Sequence, residues 1–138
     1  MQNINIFDEL AKKYPFDDVE KEQTIRKAMS ILYANEVKKT NNPTLIALGG
    51  QPGSGKTGLV SYSKHKFLLN NEDAYIVKAD FCRECFKYSI ELQEKYPYYY
   101  MEYTKNITEI IMRELLNRIY IDKINVILET SLTRRYFK

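Results

Sequence analysis

A glycine-rich octapeptide near the middle of the chain constrains the fold more than any other feature of the sequence. It satisfies the pattern G-x-x-x-x-G-K-[ST] in full and consists of Gly50, Gln51, Pro52, Gly53, Ser54, Gly55, Lys56 and Thr57. A continuously apolar run, residues 44–48, precedes it, and a segment suited to a helix follows it as far as about Phe67. A strand, a tight loop and a helix in this order predict a phosphate-binding loop at the end of a buried strand.

The residue types of this loop match the chemistry of a nucleoside triphosphate. Glycines allow the backbone to fold so that successive N–H groups point at phosphate oxygens, and the following helix presents its positive end to the same anion. Lys56 is expected to contact the β- and γ-phosphates, and the Thr57 hydroxyl is expected to bind Mg²⁺. We therefore expect a purine nucleoside triphosphate and Mg²⁺ as ligands.

Hydrophobic periodicity around the loop predicts an α/β fold with a parallel sheet of three strands and flanking helices. The predicted strands are residues 44–48, 74–77 and 125–128. The predicted helices are residues 5–13, 19–39, 56–67 and 100–118, and the last of these carries Ile107, Ile110, Ile111 and Leu115 on one stripe. Strands that alternate with helices are typical of parallel sheets. We expect residues 1–42 to form N-terminal helices that pack on a core spanning residues 43–138.

Composition and length exclude several classes of protein. At 138 residues the chain is long enough for one domain with a real core. It contains no apolar run long enough to span a membrane and no signal-peptide pattern, so a cytoplasmic protein with no membrane partner is expected. A net charge of +3 suits a small anionic ligand, but it is too weak to argue for a nucleic-acid partner.

Two acidic residues follow predicted strands. Asp80 comes just after the second strand, and Glu129 ends the third. Ligands of open α/β sheets bind outside the carboxyl ends of the strands, so both acids are expected near Lys56. Either carboxylate could accept the proton of an attacking hydroxyl or hold the metal. The alternatives are that Asp80 only caps a helix starting near Phe81, and that Glu129 is an ordinary exposed strand end.

With these residues in view, the sequence resembles the zeta toxin family, the kinases of bacterial toxin–antitoxin pairs. The run from Leu45 to Thr57, including its Gly-Gly-Gln-Pro-Gly entry, is similar to that family's strand and loop. Asp80 matches the aspartate that the family uses as the base, and Arg83 matches a basic position three residues further on. Glu109, in a threonine–glutamate pair, and Glu129 match acids that contact the substrate.

The resemblance implies a function and a set of partners. It implies transfer of a phosphoryl group from ATP, with Mg²⁺, to the 3′-hydroxyl of the UDP-sugar UDP-N-acetylglucosamine, and an antitoxin protein as partner. The sequence departs from the family at Lys78, where an acid is common, and it stops before the arginines that clamp the phosphates. The open alternatives are a truncated, non-catalytic nucleotide-binding or antitoxin-binding module, and a kinase for another small-molecule acceptor.

The resemblance also implies a strand order. The third strand is expected between the first and the second, which leaves residues 45–48 as an apolar edge. We expect a second copy of the chain, or further residues of the native protein, to cover that edge.

Two further clusters leave their interpretation open. Tyrosines crowd residues 96–103 and could pack between helices, line a substrate wall or form a partner surface. Cys82 and Cys85 form a lone C-x-x-C pair, read either as reduced thiols on a helix or as a redox pair.

Overall fold

Strands and helices alternate along most of the chain. The structure is a computed structural model that describes residues 5–49 and 56–130, the side chains of residues 56 and 57 excepted. Its elements are α1 (Ile6–Lys13), α2 (Asp18–Leu32), β1 (Leu45–Gly49), α3 (Lys56–Leu69), β2 (Ala74–Lys78), α4 (Ala79–Glu84), α5 (Ser89–Lys95), α6 (Tyr100–Ile121) and β3 (Asn125–Thr130).

The three strands form one parallel sheet in the order β1-β3-β2. Both pairings are parallel, with Gly49 beside Thr130 on one side of β3 and Lys78 beside Glu129 on the other. This confirms the predicted α/β class and strand order. Because the register aligns the carboxyl ends of all three strands, the residues that follow them meet at one edge of the sheet.

Helix α2 is shorter than its sequence predicts. The Asp17 carboxylate caps it by accepting a hydrogen bond from the Glu20 N–H at 2.8 Å, but the helix ends at Leu32 instead of Lys39. After the helix the chain runs past β2, where the Tyr75 hydroxyl donates to the Asn35 carbonyl at 2.7 Å. Val37 is buried there. Val37 lies within the predicted helix 19–39, but it packs outside the observed helix.

Apolar cores of unequal size lie on the two faces of the sheet. The larger core packs α1, α2, α4 and α5 around α6, which contributes Ile107, Ile111, Met112, Leu115 and Ile119. Ile110 was predicted on this stripe but is exposed, whereas Ile111 and Met112, the next two residues of the helix, are buried. The smaller core, beneath α3, consists of Val60, Phe67, Ala74 and Ile127. Within residues 5–49 and 56–130, no helix combines the length and the apolarity needed to cross a bilayer.

Most of the tyrosine cluster joins α1 to the chain around α5 and α6. The Tyr103 hydroxyl donates to the Tyr14 carbonyl at 2.6 Å, and the Lys13 ammonium donates to the Tyr96 hydroxyl at 3.1 Å. The rings of Tyr14 and Tyr96 meet edge to face. Tyr98 is exposed. These contacts favour the packing interpretation for Tyr96 and Tyr103.

Candidate functional site

The predicted phosphate loop is flanked by the elements that its motif requires. Residues 50–55, and the side chains of Lys56 and Thr57, lie outside the described part of the chain. On either side of them, β1 ends at Gly49 and α3 begins at Lys56. A strand that enters the loop and a helix that leaves it are the context in which this motif binds phosphate. The elements on both sides of the loop are therefore the ones that the motif requires.

Asp80 lies in the first turn of α4, directly after β2. The N-cap of that short helix is Lys78, and no side chain caps it. Asp80 does not serve as the N-cap, which was the structural alternative. Its carboxylate accepts a hydrogen bond from Arg83 Nη1 at 3.2 Å while the side chain stays 83% exposed. A carboxylate that is held on one side and open on the other can still meet an acceptor hydroxyl.

The Arg83 side chain is anchored inside the protein, only 10% exposed. The Arg83 Nε donates to the Thr104 hydroxyl oxygen at 2.9 Å. The backbone carbonyl oxygen of Arg83 accepts a hydrogen bond from the Ser89 hydroxyl at 2.5 Å. A buried guanidinium requires partners for its N–H groups, and here they come from α4 itself and from α6. The cation is therefore fixed in place beside Asp80.

Glu129 lies at the carboxyl end of β3, beside the last residue of β2. The Lys78 ammonium approaches its carboxylate to 3.8 Å. Glu129 is partly buried and Lys78 is exposed. Lys78 stands where the resemblance leads us to expect an acid, so this edge of the sheet carries an opposite-charge pair in place of two acids.

Glu109 is supplied by α6, the helix to which Arg83 is bonded. It is buried, and the neighbouring Thr108 hydroxyl donates to the Thr104 carbonyl at 2.7 Å. The structure thus joins Asp80 to Arg83, and Glu129 to Lys78, by direct contacts. Glu109 lies five residues beyond Thr104, the point where α6 meets Arg83.

Thr104 is a site residue that sequence reasoning did not single out. It is fully buried in a helix whose other inward residues are mostly apolar. With Thr108 it forms an i, i+4 pair of hydroxyl-bearing residues on the buried side of the helix. That pair is the signal that could have marked it, since a buried hydroxyl needs a partner.

The cysteine pair shows no activation. Cys82 lies in α4, Cys85 is its C-cap, and both thiols are buried and unbridged. Burial raises the pKa of the Cys82 thiol to about 12 and also raises the pKa of Cys85. Both groups are therefore thiols at neutral pH, the form that reacts slowly. In the part of the chain that the structure describes, no three His, Cys, Asp or Glu side chains cluster as metal ligands.

The parallel sheet, the loop context and the strand-end acids define a P-loop kinase-like α/β fold. The family model described as zeta toxin matches residues 29–136, and the chain belongs to the zeta toxin family.

Two relatives from Streptococcus pneumoniae are similar to the chain. The toxin PezT of serotype 4 is 30% identical over 95 residues, which are 69% of this chain and 36% of that protein. A chain in the structure of the PezAT chromosomal toxin–antitoxin system of this pathogen superposes with a TM-score of 0.70 at 26% identity. The match covers 84% of this chain and 47% of the solved one. The chain thus spans less than half the length of either relative.

Proposed function

We propose that the chain carries the nucleotide and base sites of a zeta-type kinase, the toxin of a toxin–antitoxin pair. Its reaction would transfer the γ-phosphoryl group of ATP to the 3′-hydroxyl of UDP-N-acetylglucosamine. One observation carries the proposal: an exposed carboxylate, Asp80, is held by a buried arginine at the edge of the sheet where the phosphate loop begins. Family membership and the complete loop motif support it.

The proposed step assigns a role to each residue. The acceptor oxygen attacks the γ-phosphorus while Asp80 takes its proton, and the bond from the γ-phosphorus to the β–γ bridging oxygen breaks to release ADP. Lys56 would bind the β- and γ-phosphates, with Mg²⁺ held at Thr57. Bound Mg²⁺ supplies positive charge to the phosphate oxygens. Glu109, Glu129 and Arg83 would line the acceptor side.

The pair of Lys78 and Glu129 favours a second candidate, a kinase for a different small-molecule acceptor. Lys78 lies 3.8 Å from the glutamate expected to contact the sugar and offsets its charge. An acceptor site that has lost negative charge would suit a more anionic substrate than the family's own. A panel of acceptors that differ in charge, assayed with the wild-type protein and with Lys78→Gln, separates the two candidates.

An antitoxin protein is the proposed macromolecular partner. The similar solved chain comes from a structure of a toxin–antitoxin system, and the similar curated protein is a toxin. If the chain binds ATP but phosphorylates nothing, the non-catalytic nucleotide-binding or antitoxin-binding module becomes the better proposal. We place the protein in the cytoplasm, where nucleotides and UDP-sugars are present.

Asp80→Asn tests the kinase directly, with Glu84→Gln as a matched control on the same helix. We expect Asp80→Asn to lower acceptor phosphorylation by roughly 100-fold or more, because a general base contributes about that much. ATP affinity, measured by calorimetry, should stay within a few-fold, and Glu84→Gln should behave as wild type. Lys56→Ala should abolish ATP binding. Near-normal phosphorylation by Asp80→Asn would remove Asp80 from the mechanism.

A further inference from the structure

A chain of hydrogen bonds runs from the exposed Asp80 carboxylate to the interior of α6. Arg83 Nη1 donates to Asp80 Oδ1 at 3.2 Å, and Arg83 Nε donates to Thr104 Oγ1 at 2.9 Å. The Thr104 hydroxyl donates in turn to the Tyr100 carbonyl at 2.7 Å. One arginine therefore connects an accessible acid on α4 with a fully buried hydroxyl on α6.

The direction of each bond in this chain is fixed by chemistry. A threonine hydroxyl has one proton, and the Tyr100 carbonyl is its nearest acceptor, with the Met101 carbonyl at 3.5 Å. The hydroxyl oxygen is thus left to accept from the arginine, which can only donate. Replacing the hydroxyl by a methyl group would leave a buried Nε–H without this acceptor, which is costly.

The bond to Thr104 also orients the rest of the guanidinium. The group is planar, so anchoring Nε in the buried wall of α6 restricts where Nη1 can lie. Asp80 is mostly exposed, and Nη1 is the side-chain group that holds its carboxylate. We propose that Thr104 is a positioning residue that acts through Arg83 to hold Asp80 where it takes the acceptor proton. This inference rests on the proposed function.

The link from Asp80 through Arg83 to Thr104 would also fix the position of the base relative to the acceptor side of the site. Glu109 lies on α6 five residues after Thr104, and Thr108 donates to the Thr104 carbonyl. A helix transmits position rigidly over such a distance. Because proton transfer needs heavy atoms within hydrogen-bond reach, a displacement of about 1 Å at Asp80 can cost on the order of 100-fold in rate.

Three threonine variants of the full chain test the inference. Thr104→Val should lower kcat for acceptor phosphorylation about 10-fold or more, with KM for ATP and for the acceptor changed less than about threefold. Thr104→Ser keeps the hydroxyl and should restore kcat. Thr24→Val is the matched control: Thr24 is buried and donates to the Glu20 carbonyl at 2.7 Å, but it binds none of the arginines in residues 5–49 and 56–130. It should lose stability and keep kcat.

A structural measurement decides the same question without turnover. In NMR spectra of the protein, the Arg83 Nε–H signal should shift and lose protection in Thr104→Val, and the Asp80 carboxyl carbon should move with it. Both signals should return in Thr104→Ser. If Thr104→Val fails to fold, Thr104→Ala replaces it, because it also removes the hydroxyl that accepts from Arg83 Nε. The alanine variant should show the same loss of kcat and the same shift at Asp80.

The outcomes separate this inference from the proposed function. Equal kcat and unchanged Asp80 signals in Thr104→Val and Thr104→Ser overturn the positioning role. If the wild-type protein phosphorylates no acceptor, the proposed function fails. In that case the Asp80 signal still shows whether Thr104 positions the carboxylate, and an unmoved signal rejects it.

Discussion

The two edge strands of the sheet have the same length and the same central partner, but within residues 5–49 and 56–130 the chain covers only one of them. In β2, the residues Ala74, Tyr75 and Val77 are buried. In β1, Leu45 is 46% exposed and Ala47 is exposed as well. Yet β1, with the sequence LIALG, is the more apolar strand, whereas β2, with the sequence AYIVK, includes a charged residue. Apolar composition therefore does not decide which edge is buried.

The difference lies in what the rest of the chain places beside each strand. Beside β2, the ring of Tyr33 stacks on Tyr75 at 5.0 Å, and the Lys64 ammonium donates to the Ala74 carbonyl at 2.7 Å. Beside β1 lies an open apolar cavity of about 260 Å³. It is lined by Pro43, Thr44, Leu45, Leu116, Tyr120, Ile124 and Val126. An uncovered apolar edge is a place for another strand or chain to pair.

Truncating one residue in each edge strand should give the largest contrast. Tyr75→Ala removes a buried ring together with a hydrogen bond, and we expect it to lower the free energy of unfolding by about 3–5 kcal/mol. Leu45→Ala should cost about 1 kcal/mol, because that side chain is half solvated already. Urea unfolding of both variants measures the difference, and Tyr75→Phe isolates the hydroxyl. Equal losses at Tyr75 and Leu45 would show that β1 is covered in solution.

A charged residue at the β1 edge should reduce association between copies of the chain and leave folding unaffected. This sharpens the contrast between the β1 and β2 edges. We propose that the uncovered edge pairs with a second copy of the chain at micromolar concentration, as the apolar cavity beside it suggests. Leu45→Lys should then shift light scattering toward the monomer and leave the melting temperature nearly unchanged. Leu69→Lys, at an exposed leucine of α3, is the matched control and should leave the association state as it is. A wild-type protein that remains a non-aggregating monomer at micromolar concentration would contradict the proposal.

Much of the fold was predictable because parallel α/β architecture follows local rules. Continuous apolar runs mark the strands, and the loop motif requires a strand before it and a helix after it. The predicted end of α2, at residue 39, was wrong because the residues after Leu32 pack on β2. Periodicity within the helix cannot show such a contact. The predicted burial of Ile110 was wrong for a related reason. Which residues of α6 are buried depends on the elements that pack against the helix as well as on the spacing of its apolar residues.

From the residues alone, a role in the candidate site was predicted only where it follows from a residue's own strand or loop, and the other site residues were expected from the family resemblance. Asp80 and Glu129 were placed by the rule that parallel strands end at one edge. The bond between Arg83 and Thr104 joins α4 to α6 and connects residues that lie 21 positions apart in the sequence. The pairing of Lys78 with Glu129 depends on the register of β2 against β3. Such contacts arise from the packed fold and leave little trace in local sequence.

The smallest expected effect concerns an ion pair that joins α2 to α6, the two helices that pack in the larger core. Arg118 makes a two-point contact with Glu22, at 3.2 Å and 2.8 Å, and its hydrogen bonds hold the pKa of Glu22 below the ordinary value of 4.5. A carboxyl whose pKa is lower in the folded protein adds stability above its unfolded pKa. That contribution is lost as the pH falls through the folded value. The two side chains are 34% and 39% exposed, so solvent screens the pair.

Arg118→Gln should therefore lower the melting temperature by only a few degrees at pH 7, and the difference from wild type should shrink below about pH 4. Arg26→Gln is the matched control, because Arg26 meets the same carboxylate through one contact at 3.3 Å on a more exposed side chain. It should have the weaker effect at both pH values. A loss in Arg118→Gln that persists unchanged as the pH falls through and below the lowered pKa of Glu22 would show that the stem of Arg118 stabilises the two helices by packing, since the charge pair no longer contributes once the carboxyl is protonated.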